Sequence, residues 1–309
     1  MRKVIDPGKE RRSINVVENI CFSHVKDMKG NPVDLYMTLM LQNGNSEMRL
    51  ADGADDEVST GVQPVLVWIN GSGWKKCDRM LMSAEMEFLA EAGYAMAFID
   101  YRTSDIASFP AQIIDVKTAV RFLRAHASEY QIDPNRIGTI GRSAGGHLST
   151  WMAMNTDDFE SEEWAGYSSK VQVAVDMFGP TDIPVCTEKN YKAFQDPNYR
   201  WHKISETHEG VLLGVTDDMT KEEVLELGRK ASPINYITDQ MSSIIILHGD
   251  QDPLVPIEIS EKLYAKICEA GLGDRADLYI LKNGGHGTRE FFQNLTKQTI
   301  VEFVDKCLK

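Results

Sequence analysis

The residues best placed to do chemistry lie in Thr139-Ile140-Gly141-Arg142-Ser143-Ala144-Gly145-Gly146-His147, a stretch that contains a G-x-S-x-G. In that pattern a serine is held on a sharp turn between a strand and a helix with its hydroxyl exposed. The flanks fit, because Arg136 to Ile140 reads as a short apolar strand and Ala144 to Met154 as the helix that follows. Glycines at 141 and 145 leave room for a turn that larger side chains would obstruct. A serine hydroxyl is a poor nucleophile near neutral pH. Ser143 therefore needs a histidine to take its proton and a carboxylate to orient that histidine.

Two later segments can supply them. His248-Gly249-Asp250-Gln251-Asp252-Pro253-Leu254-Val255-Pro256 puts two acids in the turn beyond a strand, and Asn283-Gly284-Gly285-His286-Gly287 puts a histidine in a glycine-flanked loop. In an open α/β sheet such loops gather at the carboxyl ends of the strands, where ligands bind. Ser143, an acid at 250 or 252, and His286 then follow in the chain order serine, acid, histidine. The other histidines read as structural. His147 lies one turn into the helix after Ser143, where it packs or caps, and His248 ends a strand. His24 and His126 have no cluster around them, and His202 and His208 lack metal-ligand partners nearby in sequence. No metal site and no cofactor are expected: Gly71-Ser72-Gly73 lacks the P-loop lysine pattern, and no G-x-G-x-x-G opens a helix.

These loops need a frame, and the hydrophobic pattern supplies one. Ser13 to Val25 and Pro32 to Leu41 alternate as two antiparallel strands, and the polar stretch from Gln42 to Gln63 reads as a surface loop. Pro64 to Asn70 (PVLVWIN) is apolar throughout, as a strand buried on both faces must be. A helix over 80–91, a strand over 94–101, a long helix over 109–130, the strand and helix around Ser143, and a strand over 171–178 continue the alternation. It resumes with strand 243–248, helix 257–270, strand 276–281 and a closing helix from about 288 to 307. Repeated β-α-β predicts a mostly parallel sheet with helices on both faces, all in a single domain over 1–309. Between them, from about 181 to 232, the pattern breaks into short helices with the aromatics Tyr191, Phe194, Tyr199 and Trp201. A long excursion of this kind reads as a cap or lid over the site.

The composition bounds the partners. With 42% hydrophobic and 26% charged residues in 309, the chain is an ordinary globular protein able to bury a sizeable core. A net charge of -13 argues against nucleic acid or an anionic membrane as partner. The first ten residues hold no apolar core of signal length, and the five cysteines are odd in number and scattered, with no C-x-x-C. A cytoplasmic, reduced protein acting on a small molecule is the simplest account. The oligomeric state is open, a homodimer included.

Taken together, Asn70-Gly71-Ser72-Gly73-Trp74, Tyr101-Arg102, Phe109-Pro110-Ala111-Gln112, Gly141 to His147, Phe178-Gly179-Pro180-Thr181-Asp182, HGDQDPLVP and GGHG resemble an α/β-hydrolase of the hormone-sensitive-lipase-like group with the bacterial acetyl and feruloyl esterases. The resemblance implies an α/β-hydrolase fold with a cap insertion and a serine carboxylesterase acting through an acyl-enzyme. Short, foremost acetyl, esters of sugars or aryl alcohols are the implied substrates. Ser143 would be the nucleophile, His286 the base, and Asp252, which fits the family's HGxxDxxV pattern, the orienting acid, with Asp250 its competitor. The backbone N–H groups of Ser72, Gly73 and Ala144 would form the oxyanion hole, with Trp74 as a substrate contact. Two departures stand out. Family members often read His-Gly-Gly-Gly where this chain has Asn70-Gly71-Ser72-Gly73, which makes a glycine-only conformation at Ser72 costly. Arg142 stands where relatives carry an acidic or small residue, and its simplest reading is an ion pair near the turn. The rival readings are a non-catalytic binding protein on the same scaffold and a serine peptidase.

Overall fold

The computed structural model describes residues 2–6, 14–42, 62–76 and 78–309. The surface loop expected between Gln42 and Gln63 falls, over 43–61, outside the described residues, as does Cys77. The strands are β1 (Ile14–Lys26), β2 (Pro32–Gln42), β3 (Gln63–Ile69), β4 (Ala95–Ile99), β5 (Ile132–Arg142), β6 (Val173–Met177), β7 (Ser243–Gly249) and β8 (Ala276–Leu281). They form one sheet in the order β1-β2-β4-β3-β5-β6-β7-β8. β1 and β2 pair antiparallel, β2 lies antiparallel on β4, and every later pairing is parallel.

The apolar run in β3 is explained by its central place. Val65, Val67 and Ile69 enter one core with Ile113, Val116, Leu148 and Trp151, while Leu66 and Trp68 enter the opposite core with Leu89, Phe98, Phe303 and Val304. A strand with a core on each face has no solvent side, so alternation disappears. Each such fully buried side chain stabilises by about 1.5–3 kcal/mol.

Helices α1 (Glu87–Glu91), α2 (Ala111–Ala125), α3 (Ala127–Tyr130), α4 (Ala144–Ala153), α5 (Ile183–Ala193), α6 (His208–Leu213), α7 (Lys221–Lys230), α8 (Glu258–Glu269) and α9 (Asn294–Leu308) complete the chain. Three expected helices are shorter than the pattern suggested; the closing one, expected from about 288, starts at Asn294 after a 3-10 turn at Arg289–Phe292. The helix over 80–91 is a 3-10 turn at Ser83–Met86 followed by α1, because Met82 takes a left-handed φ of 69°. The helix over 109–130 divides at His126 into α2 and α3, and Gln131 at φ 53° stops it. The segment between β6 and β7 holds α5, α6 and α7. Thr207 caps α6 and Thr220 with Glu223 forms a capping box on α7, while Ile183, Leu212 and Val224 anchor the segment in the main core. Among the described residues no helix is long and apolar enough to cross a membrane.

Candidate active site

The turn at Ser143 is a backbone construction before it is a chemical one. Ser143 has φ 52° and ψ −121°, and its N–H donates to Met177 O at 2.8 Å. Non-glycine residues seldom hold such a conformation, so the surrounding packing must impose it. The flanking glycines serve by absence of bulk, not by left-handed φ. A Cβ on Gly141 would lie 2.1 Å from Gly145 O, and one on Gly145 would lie 1.9 Å from Ile69 O. Only glycine lets α4 press this closely onto β3 and β5.

Three loops then converge. His286 Nε2 lies 2.9 Å from Ser143 Oγ, and His286 Nδ1 lies 2.7 Å from Asp252 Oδ2. Asp252 Oδ1 accepts from the N–H groups of Leu254 at 2.8 Å and Val255 at 3.0 Å. Burial pushes this carboxyl up, but hydrogen bonds from His248 and His286 and from the Leu254 backbone outweigh it and hold Asp252 well below the usual carboxylate range. An ionised carboxylate only accepts, so the Nδ1 of His286 carries the proton and its Nε2 is left to accept from the serine hydroxyl. Asp250, the competing acid, is exposed and spends Oδ1 on the N–H of Asn283 at 2.7 Å. It ties the acid loop to the histidine loop, as does Gln251 N–H on Gly284 O at 2.8 Å.

The loop after β3 lies against the same turn. A Cβ on Gly71 would lie 2.6 Å from Arg142 O. Ser72, Gly73 and Trp74 follow at φ 99°, 61° and 58°, so the strained geometry feared at Ser72 is present. Asn70 braces this loop through Nδ2 to Asp78 O at 3.1 Å, and Tyr101 Oη donates to Asn70 O at 2.9 Å. Among the described residues the N–H groups of Ser72, Gly73 and Ala144 donate to no protein acceptor.

Ser143, His286, Ser72, Gly73 and Ala144 line one cavity of about 460 Å³, with Asp252 buried behind His286. The segment between β6 and β7 supplies its outer wall with Lys189, Asn190, Tyr199, Trp201, His208 and Glu209. Asn190 Nδ2 donates to Glu209 Oε2 at 2.8 Å and Tyr199 Oη to Asn190 Oδ1 at 2.6 Å. A second depression, on α7, is lined by Met219, Leu227 and three glutamates, and has no nucleophile.

This wall can be set beside known proteins. A family profile for BD-FAE matches residues 55–267, more than half of the chain. The chain belongs to the BD-FAE family. It is 27% identical over 234 residues to Esterase LipC of Mycobacterium tuberculosis, covering 75% of this chain and 54% of that protein. To the Probable carboxylic ester hydrolase LipM of the same organism it is 30% identical over 210 residues, covering 64% and 43%. The chain thus spans about half the length of the curated relatives it matches. Among solved structures, a truncated carbohydrate esterase from gut microbiota superposes with a TM-score of 0.73 at 26% identity over 97% of this chain and 98% of the other. The chain has the α/β-hydrolase fold.

Several residues differ from their sequence reading. Arg142 makes no ion pair among the described residues, contrary to expectation, because β5 ends with this side chain half-buried at the cavity wall. Trp74 lines the cavity but is 1% exposed, its ring packed edge-on to His147 with centroids 5.3 Å apart, which leaves little of it for a substrate. His24 is not isolated: its ring, Cys21 Sγ and Asp34 lie within 4.8 Å of one another on the β1–β2 hairpin, where His24 Nδ1 meets Asp34 Oδ1 at 2.8 Å. His147 is fully buried with Nε2 donating to Ala231 O at 2.7 Å, and burial lowers it to about 4, so it is neutral.

Two contributions were missed. His248 is a second histidine on the acid: its Nε2 donates to Val255 O at 3.0 Å and lies 3.4 Å from Asp252 Oδ2, while Ser260 Oγ lies 2.7 Å from Nδ1. His208 braces the loop after β3, since a Cβ on Gly73 would lie 2.4 Å from its ring. The HG at the head of HGDQDPLVP was a signal for the first; nothing in the sequence pairs His208 with Gly73.

Proposed function

We propose that this chain is a serine carboxylesterase that cleaves short acyl esters, acetyl foremost, of sugar-like alcohols through an acyl-enzyme. One observation carries the reading: the unbroken line from Ser143 Oγ to His286 Nε2 (2.9 Å) and from His286 Nδ1 to Asp252 Oδ2 (2.7 Å), with Ser143 and His286 on the cavity wall and the acid buried behind them. In this reading Ser143 Oγ attacks the ester carbonyl as its proton passes to His286 Nε2. The oxyanion that forms is held by the N–H groups of Ala144, Ser72 and Gly73, which have no acceptor among the described residues. Collapse expels the alkoxide, which takes the proton from Nε2 and leaves as the alcohol. Water then gives a proton to Nε2, its oxygen attacks the acyl carbon, and the acid and free Ser143 result.

The sugar-like alcohol is supported by the outer wall, where Tyr199 and Trp201 offer ring surface beside the amide of Asn190 and the carboxyl of Glu209. The carbohydrate esterase among the structural neighbours points the same way. The segment 181–232 would act as the cap that supplies this wall. The test is hydrolysis of p-nitrophenyl acetate and of acetylated xylo-oligosaccharides by the wild type and Ser143→Ala. A loss of roughly 10⁴-fold or more in kcat is expected; turnover that survives the substitution sinks the mechanism.

A further inference from the structure

We infer that Arg142 is the recognition residue for a carboxylate on the substrate, so that the esters turned over best carry an anionic carboxylate close to the scissile bond. The inference rests on the esterase reading above and names the substrate class of that same cavity.

Arg142 is unlike the other arginines held partly out of water. Arg79 pairs with Asp100 at 2.9 Å, Arg102 with Asp115 at 2.7 Å, Arg121 with Glu160 at 2.8 Å and Arg136 with Asp133 at 2.8 Å. Arg124 has the carbonyls of Pro134, Ser168 and Lys170. For the half-buried Arg142 guanidinium, no carboxylate or carbonyl among the described residues accepts. The chain has 46 acidic against 33 basic residues, so a shortage of carboxylates is not the reason. Removing an unpaired charge from water is costly, and proteins seldom bear the cost without a partner to come.

The remaining charges of the cavity support this. Lys189 Nζ is committed to the carbonyls of Pro253 and Leu254 at 2.8 Å each, and Arg200 lies over the Trp201 ring at 3.5 Å. Glu209, buried in the same wall, is bonded by Asn190 Nδ2 at 2.8 Å and makes no ion pair with Arg142 among the described residues. Burial lowers the proton affinity of Arg142 with no acid acting against it. Among the described residues the wall thus holds two guanidinium forks with no acceptor, Arg200 stacked on a ring and Arg142 unstacked, and Arg142 is the one directly beside the reacting serine in the chain. A planar guanidinium matches a carboxylate through two parallel hydrogen bonds, which a lysine cannot reproduce. Arg142 precedes Ser143 directly and lines the same cavity, so a carboxylate on its fork belongs to the molecule that Ser143 attacks. The substrate is then a hemiester of a short dicarboxylic acid or an acyl ester of an alcohol that carries a carboxylate.

Two pairs of esters separate these sources. Mono-p-nitrophenyl succinate against p-nitrophenyl butyrate puts the charge on the acyl side; 4-acetoxybenzoate against its methyl ester puts it on the alcohol side. Intrinsic reactivity cancels when wild type and variants are compared on the same pair. In one arm, Arg142→Gln should cut the charged-to-neutral ratio of kcat/KM by roughly 10- to 100-fold, the loss falling on KM, as for a lost charge-assisted hydrogen bond. Arg142→Lys should restore part of it. Turnover of the neutral members with a ratio that Arg142→Gln leaves unchanged in both arms overturns this inference alone. A chain that turns over none of the four overturns the esterase reading and this inference with it.

Discussion

The loops at the ends of β5, β7 and β8 and the segment between β6 and β7 wall the same cavity by opposite means. The first set is over-determined. Ser143 is held at a left-handed φ by glycines that no other residue can replace, and the acid and histidine loops are laced through Asp250, Gln251 and Asp252. The second set rests on short capped helices and on side chains that meet each other, such as Asn190 with Glu209 and Tyr199. Chemistry needs reacting atoms placed to fractions of an ångström, whereas recognition of an alcohol tolerates a wall that varies. The difference locates where a substitution should abolish the reaction and where it should only redirect it.

The sharpest break of that division is Asp252→Asn. The amide keeps an acceptor for the N–H groups of Leu254 and Val255, so the loop has no reason to move. It also presents N–H groups to His286, and the ring then takes the tautomer with its proton on Nε2, facing the serine. The expected loss is roughly 10³- to 10⁴-fold in kcat, with KM little changed. Parallel kinetics on Asp250→Asn serve as the control, and an equal loss there would reassign the acid.

The same division explains what could be read without coordinates. Ser143, Asp252 and His286 were legible because each sits in a short local pattern whose backbone geometry dictates its own residues: G-x-S-x-G, HGDQDPLVP and GGHG. The alternation of strands and helices was legible for a similar reason, since burial on two faces leaves a continuous apolar run. His208 against Gly73 was not, because the contact joins residues far apart in the chain and either one alone looks ordinary. His248 was read as structural, yet its ring shares the Asp252 carboxylate with His286. Arg142 misled in the other direction. A charge beside a buried turn was assigned a partner, and strand β5 instead delivers it to the cavity wall.

A second test concerns the energetic cost of the over-determined side. Asp176, fully buried in β6 behind the turn, accepts from the N–H of Gly179 at 2.8 Å, and burial raises it to about 6. The usual aspartate value in an unfolded chain is about 3.9. Between these values the folded chain binds more protons than the unfolded one, so this group's contribution to stability falls as pH rises from about 4 to about 6 and is constant above. Asp176→Asn keeps the acceptor for Gly179 and removes the titration. Relative to wild type, its unfolding free energy should gain about 2–3 kcal/mol between pH 4 and pH 7. Denaturant unfolding at the two pH values reads the swing, and a constant difference would show that Asp176 carries no such cost.

The smallest expected effect probes the outer wall and asks whether the two regions are separable at all. Trp201 lines the cavity, but its ring also stands edge-on to His208 with centroids 5.0 Å apart, and His208 in turn presses on Gly73. Trp201→Ala therefore has two distinguishable outcomes. If the ring serves as a platform for the alcohol, KM for an acetylated xylo-oligosaccharide should rise by roughly 10-fold, in keeping with about 1.4 kcal/mol of lost contact. Under that outcome p-nitrophenyl acetate, too small to reach the outer wall, should change far less. If instead the ring acts through His208, the loop carrying the Ser72 and Gly73 N–H groups loosens, and kcat should fall alike for both esters. Transition-state stabilisation lost at the oxyanion is independent of the alcohol, whereas platform contacts are made before the reaction begins. The split between KM and kcat thus decides whether the wall recognises the substrate directly or holds the machinery that the sheet has built.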